Sequence, residues 1–400
     1  MSQNYGLIGR HLGHSYSPEI HKQLRGYDYA LWPMEPENLP SFFEKKDFNG
    51  INVTIPYKQD AMAYCDALGE TAKRAGCVNT IVKQKDESLF GDNTDLAGFQ
   101  FMLRRVGISL AGKHVLILGA GGASLTVQLA CADAGAASVK VADKDDCKAC
   151  PQAQIIVNAS PVGMYPNVDA SPVSLADYPE LEAVADLIYN PRKTRLLQQA
   201  EQLNLKKIDG LSMLVAQAAK AAELFTGEVQ DDLQIAKVLN ELSAQLENWV
   251  LIGMPGCGKS TIGAWLAKQS GREFVDLDKV ITAREGMPPG EIIAQRGEAA
   301  FREIEGAIVK EVGVKTGLVI ATGGGAILRE DNVQALRQNG RLLWMKRDIE
   351  FLATQGRPLS KNLLDLAKKR KSAYQAAADE IIMHNENWMA VKQAAWEAFQ

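Results

Sequence analysis

Residues 250–261 read VLIGMPGCGKST, an apolar run from Val250 to Ile252 that breaks into a glycine-rich loop ending in Lys259, Ser260 and Thr261. Gly253, Gly258, Lys259 and Ser260 fit the spacing GxxxxGK[ST]. In such a loop backbone N–H groups curl around phosphates, the lysine reaches the β and γ oxygens, and the serine hydroxyl holds Mg²⁺. A strand that feeds this loop and then a helix is a parallel α/β unit. It opens a C-terminal stretch, residues 247–400, and a glycine loop of a different kind lies upstream.

The 400 residues exceed the roughly 250–300 at which a single hydrophobic core stops growing, so two or three domains are expected. With 46% apolar and 23% charged residues and a net charge of −4, the chain has no excess of basic charge to draw it to nucleic acid or anionic membrane. The opening MSQNYGLIGRHLGHS lacks the apolar stretch of a signal peptide, and no run of about 18 apolar residues occurs. The cytoplasm is the expected compartment. Cysteines 65, 77, 131, 147, 150 and 257 are too sparse for a disulfide framework. Cys147 and Cys150 form a C-x-x-C with no second pair or nearby histidine, which reads as two reduced thiols in a loop.

From Tyr5 to Val82 short strand-like runs (YGLIG, GINVTI, VNTIV) alternate with amphipathic segments, as in βαβ units. A second unit follows. His114–Leu118 is a buried-strand pattern that runs into Gly119, Gly121 and Gly122, then a helical stretch to Ala134 and a strand, SVKVAD, ending at Asp143. This is the dinucleotide-binding arrangement. Further strand signals lie at Gln154–Asn158 and Ala185–Tyr189, and helical sequence runs from Met213 to Leu246 with a break near Gly227. The expected α/β organisation is a first domain over 1–97, a Rossmann-like domain over 98–212, returning helices and a linker over 213–246, and a P-loop domain with a parallel sheet over 247–400.

The strings GHSYSPEIH (13–21), NVTIPYK (52–58), AGCVNT (75–80), GDNTD (91–95), GAGGA (119–123), NASPVGMYPN (158–167) and DGLSMLVAQAA (209–219) together resemble shikimate dehydrogenase. The resemblance implies reduction of 3-dehydroshikimate to shikimate with NADP or NAD. On an extended segment the hydroxyls of Ser15 and Ser17 face one side and suit a carboxylate. Thr54, Asn79, Tyr189 and Gln217 join them as substrate residues. Lys58 and Asp95 are the proton-transfer pair, because a ketone needs a proton at oxygen as hydride reaches carbon. The resemblance assigns Gly119, Ala120, Gly121, Gly122, Ala123, Asp143, Gly210 and Met213 to the cofactor.

This loop departs from the family. Where relatives read Asn-Arg-Thr, with the arginine on the 2′-phosphate of NADP, the chain reads Asp143-Lys144-Asp145. An acidic residue about 20 positions past the glycines takes the ribose 2′-hydroxyl, which makes NAD a candidate. Only Asp146–Gln154 separates this strand end from IIVNASP, where the family has a further helix and strand, so the domain is shortened.

Downstream, FVDLDK (274–279), GEAAFREIE (297–305), ATGGGA (321–326), GRPLS (356–360) and KKRKSAYQAAAD (368–379) resemble shikimate kinase. No Asn-Lys-x-Asp string points to guanine. The resemblance implies transfer of a phosphoryl group from ATP, with Mg²⁺, to shikimate. Gly256, Cys257, Gly258, Lys259, Ser260 and Thr261 then hold the nucleotide, with Lys259 also catalytic. Asp276 and Asp278, two apart on a strand end, share a face. Asp276 holds Mg²⁺ with Ser260, and Asp278 takes the substrate proton. Arg302, Arg370, Gly323, Gly324 and Gly325 bind the substrate, and Arg357 closes with a lid. The arginine that packs on adenine in the family has no clear counterpart, and the lid between Leu359 and Leu366 is abbreviated.

The leading expectation is a bifunctional enzyme acting on 3-dehydroshikimate, shikimate and ATP, as a monomer or homodimer, with no nucleic acid or membrane partner. The hydroxyl made in the first reaction is the one phosphorylated in the second. The rivals are a kinase fused to a non-catalytic module, and a quinate or dual-substrate dehydrogenase.

Overall fold

The computed structural model describes every residue except 1–3, 14, 144–149, 353–362, 384 and 386. The chain divides into two compact units, Met1–Leu242 and Ser243–Gln400.

The first unit begins with β1 (Tyr5–Gly9), α1 (Ser17–Arg25), β2 (Tyr29–Pro33), α2 (Leu39–Lys45), β3 (Gly50–Val53), β4 (Ala67–Leu68), α3 (Glu70–Ala75), β5 (Thr80–Lys83) and β6 (Leu89–Asp92). These strands form one mixed sheet in the order β2-β1-β3-β5-β6-β4. β1 runs parallel to β2 and β3, whereas β5 runs antiparallel to β3 and β6. β1 and β3 are buried along their whole length, as continuous apolar runs at the centre of a sheet should be.

α4 (Asp95–Arg105) leads to a second sheet built from β7 (His114–Leu118), α5 (Gly122–Ala134), β8 (Ser138–Ala142), β9 (Ile155–Asn158), β10 (Ala183–Asp186), α6 (Arg195–Gln202) and β11 (Lys206–Ile208). Its order is β11-β10-β9-β7-β8, all parallel. Counting from its own first strand, that is 2-1-3-4-5, and the order reverses between β7 and β9. Ligands of open parallel sheets bind in the crevice at such a switch point. The strand read as closing at Asp143 ends at Ala142, and among the described residues no strand covers its outer edge. Ser138, Val139 and Lys140 are accordingly exposed. The short β8–β9 connection leaves β8 at the edge, where an outward Lys140 discourages pairing with another chain.

α7 (Leu211–Thr226) runs back over α4 and α1. Ala216, Ala219 and Ala222 are buried along it, and their small side chains let it lie close to its neighbours. Gly227 ends it, and α8 (Asp232–Leu246) follows.

The second unit contains β12 (Asn248–Ile252), α9 (Lys259–Ser270), β13 (Glu273–Asp276), α10 (Leu277–Glu285), α11 (Pro289–Gly313), β14 (Leu318–Ala321), α12 (Glu330–Arg337), β15 (Gly340–Lys346), α13 (Leu363–Ala377), β16 (Glu380–Met383) and α14 (Trp388–Phe399). Its parallel sheet has the order β13-β14-β12-β15-β16. NWVLI forms the fully buried central strand, and the glycine loop leaves its carboxyl end. α11 is kinked at Gly297 (φ 85°, ψ 163°), which turns the segment carrying Arg302 and Glu305.

Candidate functional sites

In the first unit the ammonium of Lys58 donates to Asp95 Oδ2 at 2.6 Å. Lys58 follows β3, and its carbonyl accepts from Val78 N on the approach to β5. Asp95 is the first residue of α4, where the helix dipole favours an anion, and its own N–H is held by Asn93 Oδ1. Asn79 Nδ2 donates to Asp95 Oδ1 at 2.8 Å and to Thr94 Oγ1, while its Oδ1 accepts from Thr94 N and Thr80 Oγ1. The amide of Asn79 is therefore engaged on both sides, and it fixes Asp95 as much as it faces a ligand. Gln217, on α7, accepts from Thr94 Oγ1 at 3.4 Å. Thr54 is tied by its N–H to Ile8 O and lies partly exposed, four residues before Lys58.

Ser15 and Ser17 do meet, with Ser15 Oγ donating to Ser17 Oγ at 3.1 Å, but not on an extended segment. Tyr16 has helical angles (φ −81°, ψ −3°), and Ser17 opens α1. A tight turn rather than strand alternation brings the hydroxyls together, because Pro18 at the start of α1 favours a helix entry. Tyr16 rests on Tyr189, with ring centroids 5.8 Å apart. Burial pushes the Tyr189 phenol above its ordinary range.

The glycine turn after β7 is held to β8 by Gly119 N donating to Ala142 O at 2.9 Å. Gly119 has φ +103°, and a Cβ there would meet the Ser160 backbone at 3.0 Å. Only glycine fits. Ala120, Gly121 and Gly122 are exposed, and Gly121 caps α5 without a side-chain bond, so the first amides of α5 are available to a pyrophosphate. Ala123 follows in the first turn. Asp143, exposed, stands one residue past the carbonyl that holds Gly119. Gly210 and Met213 lie at the start of α7, with Gly210 N donating to Ile188 O.

In the second unit the Lys259 ammonium donates to Gly253 O at 2.8 Å and Met254 O at 3.1 Å, so the loop closes around it. Gly256 and Gly258 have φ of +84° and +96°, Cys257 is buried between them, and Ser260 and Thr261 are exposed at the start of α9. Asp276 and Asp278 do not share a strand face. β13 ends at Asp276, whose Oδ1 caps α10 by accepting from Asp278 N at 3.1 Å and from Lys279 N. Aspartate is a strong N-cap, so the strand stops there and Asp278 lies within the helix. The Asp276 carboxylate and the Ser260 hydroxyl are both hard-oxygen groups, the donor type that a magnesium ion keeping most of its waters takes.

Gly323, Gly324 and Gly325 follow β14 and press against this site. A Cβ on Gly323 would lie 2.8 Å from Glu305 Oε1 and 3.0 Å from Asp278 Oδ1, and one on Gly325 would strike the Arg302 guanidinium. Arg302 Nη1 donates to Glu305 Oε2 at 2.7 Å and Nη2 to Glu298 Oε1 at 2.9 Å. Arg370 Nη1 and the Tyr374 hydroxyl both donate to Gly324 O, at 2.9 and 2.5 Å. Burial holds the Glu305 carboxyl above its usual range, against the pull of Arg302.

Residues 7–81 match the family model "Shikimate dehydrogenase substrate binding domain", and residues 255–397 match that of shikimate kinase. A shikimate dehydrogenase (NADP(+)) of Clostridium beijerinckii is 38% identical over 247 residues, covering 91% of that protein and 55% of this chain. The chain belongs to the shikimate dehydrogenase family and carries a shikimate kinase domain at its C-terminal end. Its dehydrogenase part is similar to a solved chorismate mutase/shikimate 5-dehydrogenase fusion protein from Clostridium acetobutylicum (33% identity, TM-score 0.57, 97% of that chain and 60% of this one). It is also similar to the shikimate 5-dehydrogenase of Thermus thermophilus, solved in complex with NADP(H) and shikimate (33% identity, TM-score 0.55, 99% and 60%).

The dehydrogenase part thus brings Lys58, Asn79, Asp95 and Gln217 together through Thr94, and Ser15 beside Ser17, with Tyr189 reaching Tyr16. The kinase domain gathers Asp278, Arg302, Arg370 and the glycine triplet. Arg357, Lys144 and Cys147 lie outside the described residues, while Cys150 is buried and free. Sequence reading passed over Thr94 and Glu305. GDNTD and FREIE contained them, but a polar side chain that bonds another site residue carries no spacing signal of its own. Among the described residues no helix is long and apolar enough to cross a membrane, and no group of three or more His, Cys, Asp or Glu side chains is placed to hold a metal ion.

Proposed function

We propose that the chain catalyses two consecutive steps on one carbon skeleton: reduction of 3-dehydroshikimate to shikimate, then phosphorylation of shikimate by ATP. The observation that carries this reading is the 2.6 Å Lys58–Asp95 pair beside a dinucleotide crevice, in a chain that also holds a P-loop domain with paired arginines.

When bound, the reduced nicotinamide supplies the hydride. Lys58 delivers a proton to the carbonyl oxygen as the alcohol forms, and Asp95 keeps its ammonium aimed. Ser15 and Ser17 hold the substrate carboxylate. In the kinase domain Asp278 accepts the proton of the attacking hydroxyl, while Arg302 and Arg370 orient the carboxylate through paired N–H bonds. Lys259 neutralises charge on the transferred phosphoryl group. Ser260 and Asp276 would hold Mg²⁺, which when bound would supply electrostatic stabilisation at the phosphates.

The relatives' name specifies NADP(+), yet Asp143 favours NAD(H) here: it stands beside the glycine turn, where a carboxylate bonds the ribose 2′-hydroxyl and repels a 2′-phosphate. The bare β8 edge supports a second reading, in which the shortened domain has lost hydride transfer and the kinase alone is active. Incubating the whole chain with shikimate and NAD⁺ or NADP⁺, and separately with ATP and Mg²⁺, decides between them. Reduced nicotinamide together with a phosphorylated product supports two activities. Phosphorylation without reduction of either cofactor sinks the first reading.

A further inference from the structure

Asp186 ends β10, fully buried, and no step described above uses it. Its carboxyl group receives three bonds from three separate stretches of chain. Asn158 Nδ2, at the end of β9, donates to Oδ1 at 3.0 Å, and Ile188 N donates to the same oxygen at 3.1 Å. Thr194 Oγ1, the N-cap of α6, donates to Oδ2 at 2.6 Å.

Each partner leads to a wall of the dinucleotide crevice. Asn158 Oδ1 accepts from Ser160 N and Ser160 Oγ, and the Ser160 backbone is what Gly119 packs against. That side backs the glycine turn. Ile188 O accepts from Gly210 N at the head of α7, and the next residue, Tyr189, rests on Tyr16 between the two serines. That side leads to the substrate. The crevice between them lies at the carboxyl ends of β7, β9 and β10, next to the point where strand order reverses.

We infer that Asp186 is a positioning residue for hydride transfer: one buried carboxyl group sets the spacing between the turn that backs the glycine loop and the segment that carries Tyr189. The inference rests on the dehydrogenase reading above. Misplacement of reacting groups by about 1 Å costs on the order of 10²-fold in rate, so a tie that fixes both walls acts on the reaction without touching it. The conservative substitution is Asp186→Asn. The side-chain oxygen of that asparagine would still accept from Asn158 and Ile188, and its amide nitrogen would donate to Thr194 once that hydroxyl turns. Alanine leaves all three donors without an acceptor.

The test uses the full-length chain with Asp186→Asn, Asp186→Ala and Thr194→Val, assayed well below the Tm of each. Calorimetric titration gives Kd for NAD⁺ and NADP⁺, steady-state shikimate oxidation gives KM and kcat, and ATP-dependent phosphorylation serves as an internal control. Asp186→Ala is expected to weaken cofactor binding and lower kcat/KM by on the order of tenfold or more, Asp186→Asn to restore both to near wild type, and phosphorylation to stay unchanged. Should Asp186→Ala fail to fold, Thr194→Val, which removes one tie of three, is expected to move the same constants in the same direction. Wild-type Kd, KM and kcat in Asp186→Ala, or in Thr194→Val where Asp186→Ala does not fold, with a lower Tm as the only change, would overturn the inference. A wild-type chain that binds neither cofactor would instead overturn the dehydrogenase reading, and that shows before any variant is made.

Discussion

Lys58 and Asp95 lie 37 positions apart in sequence and meet with Nζ and Oδ2 2.6 Å apart. β3 and the N-terminus of α4 converge to make that contact, and Asn79 holds the aspartate's other oxygen. Lys58→Ala should lower hydride transfer by about 10²-fold or more, the usual worth of a proton-transfer group, while phosphorylation stays normal. An unchanged rate of shikimate oxidation would remove Lys58 from this role.

Lys259→Ala should abolish phosphorylation and spare hydride transfer, since its ammonium sits inside the P-loop of the other unit. The measurement is both activities on one preparation, with Tm as the fold control. Loss of the two together would contradict independent sites.

Gly325→Ala places a Cβ against the guanidinium of Arg302. The obstacle is the far end of a flexible side chain, so the fold should survive and the arginine should move. Hydrogen bonds to charged groups are worth about 1.5–3 kcal/mol, so KM for shikimate in the kinase reaction should rise by on the order of tenfold or more with Tm nearly unchanged. A normal KM would show that Arg302 does not bind the substrate.

Cofactor choice tests Asp143. Wild-type protein should bind NAD⁺ more tightly than NADP⁺, and Asp143→Ser should narrow the gap by removing the charge that repels a 2′-phosphate. Tighter binding of NADP⁺ by the wild type would show that other groups decide the preference.

Burial raises the Asp186 carboxyl from 3.8 to about 7, opposed by its bonds to Thr194, Ile188 and Asn158 and assisted by nearby Asp209, itself paired with Arg192. A group that holds its proton more firmly when folded stabilises fully below its unfolded value, and that contribution is lost as pH rises through the folded value. Stability of the first unit should therefore fall from about pH 4 to pH 7 by an amount that Asp186→Asn removes. Scanning calorimetry at about pH 5 and about pH 8, on either side of the folded value, measures it, and equal slopes for wild type and variant would contradict the assignment.

Much of the candidate site was legible because its chemistry is local. GAGGA needs glycine where the backbone turns at Gly119, and GMPGCGKST needs it in the phosphate loop, so spacing along the chain reports the function directly. Two readings changed on folding. Ser15 and Ser17 meet through a helix entry, and Asp276 is spent partly on capping α10. In each case local spacing was right about which residues gather and silent on the backbone between them.

Sequence alone determined the chemical inventory: two glycine loops, the lysine and aspartate proposed for proton transfer, the arginines proposed for a carboxylate, and an acidic residue after the strand SVKVA. Only the tertiary structure decided how these are held. The three bonds on Asp186, the enclosure of the Asn79 amide and the press of Gly325 on Arg302 join residues far apart in the chain or hidden in loops. Their partners are chosen by how sheets and helices pack, and packing leaves no periodic mark in the sequence.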